Sequence, residues 1–166
     1  MRKILFLLLS MIVVMAAAMA QVGRAKDEGW SELMPPDKDK ELVVSSCGGC
    51  HDLKIVVEAR KSRAQWDTAV NDMIQRGSQL FPEEIEPITV YLTKAFGADV
   101  PKLVNVNTAK RDELEKLPNF KPEMVTRILD ARGKSEPFKN AEELRKAVGM
   151  EKEEFEKIRY LLKYRN

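Results

Sequence analysis

Leu42-Val43-Val44-Ser45-Ser46-Cys47-Gly48-Gly49-Cys50-His51 is the stretch on which the reading of this chain turns. Two thiols three positions apart, followed at once by an imidazole, have the spacing that covalent attachment of a c-type haem requires. On one helical turn the sulfurs of Cys47 and Cys50 reach the two vinyl groups of a porphyrin, and His51 falls under the ring as an iron ligand. Gly48 and Gly49 leave room for the macrocycle close to the backbone. Two other readings are weaker. A redox Cys-x-x-Cys sits beside a strand–helix–strand pattern, which is absent here. A structural zinc needs four ligands, and the chain has two Cys and one His.

Around this motif the pattern is helical. A helix is expected from about Lys38, leading into the motif through Leu42, Val43 and Val44. A second runs from about Ser62 to Arg76, with Trp66, Val70, Met73 and Ile74 at helical spacing, and Gly77 ends it. Pro82 sits in the first turn of a third, whose apolar stripe is Ile85, Ile88, Leu92 and Phe96. Three short helices bury little by themselves, so haem is expected to supply part of the core.

Because His51 is the single histidine, bis-histidine ligation within one chain is excluded. Within this module the remaining soft ligands are Met34 and Met73. Met73 shares a helical face with Trp66 and Val70, just before a glycine that permits a turn, and is the expected axial ligand. Met34, in a proline-rich start, and an open sixth site are the alternatives. Trp66 is read as core or as a contact to the haem edge. Arg60 and Arg63 are read as propionate partners or as solvated surface.

Arg60, Ser62, Trp66, Val70, Met73, Gly77, Glu84, Ile88, Tyr91 and Leu92 resemble the small cytochrome c modules of periplasmic sulfite dehydrogenases and quinohaemoprotein amine dehydrogenases. The resemblance covers about Leu42 to Phe96. It implies that Met73 completes the iron's coordination and that the module accepts electrons from an enzyme and passes them on. His/Met ligation raises the reduction potential, which suits that task.

The first twenty residues have the form of a secretory signal peptide. Arg2 and Lys3 precede an apolar run from Ile4 to Met19, and Ala18-Met19-Ala20 offers a cleavage site. The run is short for a spanning helix, so an uncleaved anchor is the lesser reading and no stable membrane span is expected after cleavage. Export agrees with the haem motif and points to the periplasm. Beyond the signal the charge is bipolar. Gln21 to Pro101 holds 10 basic and 14 acidic residues, and Lys102 to Asn166 holds 16 basic and 12 acidic. The second half is mildly basic, which permits nucleic-acid binding without demanding it.

After a short linker at Gly97 to Lys102, the chain repeats itself at a spacing of 30. Glu113-Leu114-x-Lys116-Leu117-Pro118-Asn119-Phe120 aligns with Glu143-Leu144-x-Lys146-Ala147-Val148-Gly149-Met150. Glu123, Val125, Arg127 and Ile128 align with Glu153, Phe155, Lys157 and Ile158. Each copy reads as a short helix, a tight turn and a longer helix, with Asn140 and Glu143 as a cap pair. With the opening Val104-Asn105-Val106-Asn107-Thr108-Ala109, this repeat resembles the tandem helix-hairpin-helix domain of ComEA-like competence proteins. The resemblance implies sequence-independent duplex binding through Gly-hydrophobic-Gly turns that bring backbone N–H groups to a phosphate. Here the first turn reads Asn119-Phe120-Lys121 and lacks both glycines. The second reads Gly149-Met150-Glu151, with a carboxylate where a phosphate would sit. Lys121 can supply a charge contact to DNA, and basic residues such as Arg127 and Lys134 can add to it, but a docking or scaffold domain for a protein partner explains the losses better.

The expected protein is thus all-α, with a signal peptide over 1–20, a cytochrome c haem domain over 30–97 and a helix-hairpin-helix domain over 103–166. Cys47 and Cys50 are expected to hold one haem c, with His51 and Met73 on its iron. The expected role is that of an electron carrier rather than an enzyme, exchanging single electrons with a periplasmic redox enzyme or another carrier. A haem-containing, weakly DNA-binding or competence-related protein is the first alternative, and a haem sensor with an open sixth site the second. The sequence holds no nucleophile, base and orienter constellation for hydrolysis.

Overall fold

The computed structural model describes residues 29–134 and 136–165; the expected signal peptide lies outside them. The chain is all-α. Its helices are α1 (Lys40–Gly48), α2 (Lys54–Val57), α3 (Arg63–Gln75), α4 (Pro82–Phe96), α5 (Arg111–Glu115), α6 (Pro122–Arg132), α7 (Ala141–Ala147) and α8 (Lys152–Glu156). Two-residue strands β1 (Val104–Asn105) and β2 (Leu162–Lys163) pair in parallel, Val104 with Leu162 and Asn105 with Lys163.

Local chemistry sets the ends of the long helices. Ser62 caps α3 by a capping box: its hydroxyl accepts from the Gln65 N–H, and the Gln65 side chain accepts from the Ser62 N–H. At the other end, Gly77 takes φ +101°. The Ser78 N–H bonds the Met73 carbonyl and the Gly77 N–H bonds that of Ile74, each at 3.0 Å. This is a Schellman motif, and it needs the left-handed residue that glycine supplies. Pro82 opens α4, and Glu84 reaches back to the Phe81 N–H at 2.8 Å.

Two hydrophobic clusters form. The first joins Val43, Trp66, Val70, Ile88, Tyr91, Leu92 and Phe96 to Trp30, Leu33, Met34, Leu53, Val56 and Val57. The last six come from a 3-10 turn (Ser31–Leu33) with the residues on either side of it, and from α2 with the residue before it, neither expected from the sequence. They enlarge the core well beyond three helices. The second cluster is built from both repeats, Leu114, Phe120, Val125 and Ile128 meeting Leu144, Met150, Phe155 and Ile158.

The copies are unequal. The longer second helix expected in both appears in the first as α6, with 11 residues, but α8 has only five. After α8 the chain tightens into a 3-10 turn (Arg159–Leu161) and then becomes β2. Pairing with β1 satisfies its backbone and buries Leu162 completely. Asn107 ties this end down: its amide donates to the carbonyls of Phe138 (2.9 Å) and Tyr164 (3.1 Å), and its Oδ1 accepts from the Phe138 N–H (2.9 Å).

The linker is gripped. Arg60 donates to the carbonyls of Val57, Ala59, Val100 and Pro101 and lies over the Phe96 ring, 5.7 Å from its centroid. It is therefore not a propionate partner. Four backbone oxygens satisfy the planar fork, and its burial draws its pKa down. Arg63 pairs with Asp67 (3.3 Å) and Glu86 (2.5 Å) on the surface. Between the modules, Lys163 reaches Glu58 at 2.5 Å, and Tyr164 packs against both clusters.

Candidate functional site

α1 ends at Gly48, inside the motif, so Cys47 occupies its last turn while Cys50 and His51 follow in a turn. Two consecutive glycines weaken the helix there. Neither has a positive φ, so neither is required by the backbone. A Cβ at Gly49 would meet nothing nearer than the Ser45 carbonyl at 3.6 Å. What remains special about the pair is its small size.

A cavity of about 420 Å³ lies between this turn and α3 and α4. Cys47, Cys50 and His51 line it from the motif side, Val70 and Met73 from α3, and Ile88 from α4. Ile55 and Leu80 close further parts of its wall, and Arg76, Gly77 and Ser78 edge it where α3 ends. The structure thus brings together the four residues singled out from the sequence. Met34 does not join them: it is fully buried in the first cluster and does not line the cavity. Nor does Trp66, a buried core residue whose indole N–H donates to the Phe96 carbonyl at 3.1 Å.

The electrostatics of the cavity are those of an apolar cleft. Burial pushes the Cys47 thiol up to about 11, so it stays protonated at neutral pH, whereas Cys50 is exposed. His51 Nδ1 lies 3.3 Å from the Asp52 carbonyl oxygen. With the proton on Nδ1, that contact is a donated hydrogen bond and Nε2 keeps a free lone pair. Among the described residues no three His, Cys, Asp or Glu side chains are grouped to hold a metal ion, as a structural zinc would need.

Sequence reasoning missed Ile55, Leu80 and Arg76. Ile55 carried a signal, because it is large, apolar and 59 % exposed.

The hairpins of the second module form a second candidate site. Asn119 (φ 67°) and Gly149 (φ 60°) occupy equivalent left-handed positions. Asn takes the conformation that Gly takes in the other copy. The helices that follow begin with acidic residues, Glu123 in α6 and Glu153 and Glu154 after the N-cap Glu151 in α8. These carboxylates sit at the helix end that would attract a phosphate. Pro122 removes one of the N–H groups that would bind it. Arg127 donates to the Val148 carbonyl at 3.3 Å, while Lys121 and Lys134 are exposed.

Residues 101–163 match the family model of the helix-hairpin-helix motif. No curated protein and no solved structure matches the chain. Among the described residues, no helix is long and apolar enough to cross a membrane.

Proposed function

We propose that this chain is a periplasmic monohaem cytochrome c that carries single electrons, with its helix-hairpin-helix module as a docking or scaffold domain. The observation that carries the reading is the convergence of Cys47, Cys50, His51 and Met73 on one apolar cavity. These residues fit a haem. Two thiols that become thioethers tolerate burial better than thiolates do, and the Cys47 environment favours the uncharged sulfur. A His51 oriented through Nδ1 offers Nε2, and Met73 offers the thioether that completes a His/Met pair. Cys47 and Cys50 would hold the group, and His51 and Met73 would ligate its iron.

When bound, haem supplies a one-electron ferric/ferrous couple. The chain's own part is to exclude water and set the potential. Val70, Ile88, Leu80 and Ile55 line the cavity with hydrocarbon, which disfavours the extra charge of the oxidised state. Exposed Cys50 and Ile55 leave the attachment side open to a redox partner. The mature chain contains neither a second histidine nor a hydrolytic constellation, which favours a carrier over an enzyme.

Oxidised and reduced absorption spectra of the periplasmically matured protein, beside Met73→Ala, test the reading. A low-spin spectrum with a sulfur-to-iron charge-transfer band, lost in M73A, is expected. High-spin, ligand-accessible iron unchanged by the substitution would overturn Met73 and put the open-site sensor in front.

The family match over 101–163 favours a second reading, sequence-independent DNA binding. The acidic first turns of α6 and α8 weigh against it. A duplex mobility shift at low salt that weakens steeply as salt rises would restore it; no shift at low salt is expected.

A further inference from the structure

We propose that Arg76 anchors the carboxylate edge of the prosthetic group in the cavity between the Cys47–His51 turn and α3; this rests on the haem reading above. Haem has an apolar macrocycle and two carboxylates on one edge. The macrocycle matches the hydrocarbon walls, while the carboxylates need a cation or water where the cavity meets solvent. Arg76 is the only Lys or Arg among the residues lining the cavity. It is exposed at the C-terminal end of α3, next to Gly77 and Ser78 on the same rim. Among the described residues its guanidinium has neither a hydrogen-bond partner nor an ion-pair partner.

The competing cations are engaged elsewhere. Arg60 is closed on four backbone carbonyls and Arg63 on Asp67 and Glu86. Lys54 lies over the Trp30 ring, 5.5 Å from its centroid. The Schellman turn fixes the backbone at Arg76, whose N–H bonds the Asp72 and Met73 carbonyls at 3.1 Å. The same turn therefore sets both the proposed iron ligand and the proposed anchor. A planar, permanently charged fork suits a carboxylate better than an ammonium does.

The test compares equilibrium reduction potentials of the matured wild type, Arg76→Leu, Arg76→Lys and Arg63→Leu. Covalent attachment is checked first, by haem staining after denaturing electrophoresis. Removing a cation beside the carboxylates favours the more positive ferric state. R76L is expected to shift the ferric/ferrous ratio toward ferric by up to about tenfold, a lowering of up to about 59 mV for one electron. R76K restores most of the shift, and R63L stays at the wild-type value. A R76L potential equal to wild type, or an equal shift in R63L, overturns Arg76 while leaving the haem reading standing. Wild-type protein without covalent haem overturns both.

Discussion

Arg60 donates two hydrogen bonds to the carbonyl of Pro101, at 2.9 Å from Nε and 2.7 Å from Nη2, across 41 positions of sequence. The same guanidinium holds Val100, Val57 and Ala59. A segment that reads as a linker is thereby fixed to the end of α2. Its bridge from Gly97 to Lys61 extends the hold.

Removing this grip should separate the modules' responses. Arg60→Ala strands several half-buried carbonyls and is expected to lower stability by about 3 kcal/mol. Arg60→Lys should recover only a minor part, because an ammonium lacks the planar fork. Limited proteolysis checks the location. Cleavage within 97–102 should accelerate in R60A, and an unchanged cleavage rate would show that the linker is held by other contacts.

Gly77 and Gly49 should respond in opposite ways. Gly77→Ala forces a side chain into φ +101° and is expected to cost about 1–2 kcal/mol, although nothing lies within 4 Å of the new Cβ. Gly49 has φ −71°, so Gly49→Ala should leave the haem-free chain unchanged or more stable by up to about 1 kcal/mol. If the small size of Gly49 serves the macrocycle, the same variant should accumulate less covalent haem. Chemical denaturation and haem staining measure the two effects separately, and full haem loading in G49A would remove the steric role.

How much of this could be read from the sequence depends on where each signal lies. α3 was legible from end to end, because a capping serine, a helical stripe and a terminating glycine all fall within sixteen residues, 62–77. Cys47, Cys50 and His51 stood out by their spacing and Met73 by its helical face, and the structure places all four on one cavity. α2 was not, being four residues long and too short to show a period. β2 was concealed, because Phe155, Ile158 and Leu162 keep a helical spacing that pairing with β1 overrides. Arg76 was overlooked because a basic residue at a helix C-terminus is usual for dipole reasons alone. Arg60 could not be assigned without knowing that residues 100 and 101 return to it.

The thiols of Cys47 and Cys50 should differ in reactivity. Cys50 is exposed, while burial holds Cys47 up at about 11. In the haem-free chain at pH 8, iodoacetamide should modify Cys50 well before Cys47, as peptide mass spectrometry would show. The folded chain keeps the Cys47 proton to higher pH than the unfolded chain, so this contribution to stability is present below about pH 9. It is lost as pH rises toward about 11. Denaturation midpoints should therefore fall across that window and fall less in Cys47→Ser; identical slopes would refute the assignment.

Asn107 is where the second module is most exposed to a single substitution. One side chain bonds both the N–H and the carbonyl of Phe138 and also the carbonyl of Tyr164. It thereby joins the start of the repeat, the segment between its copies and the chain that leaves β2. Asn107→Ala leaves these backbone groups without their partner and is expected to cost about 3 kcal/mol. Most of that loss should fall on one side of the molecule, because the two clusters have separate cores. In urea, helical circular dichroism of the N107A protein should show an early transition, while the Soret band, which under the proposed haem reading reports the first module, should hold to higher denaturant. Coincident transitions would mean instead that Tyr164, Lys163 and Arg60 couple the two cores into one cooperative unit.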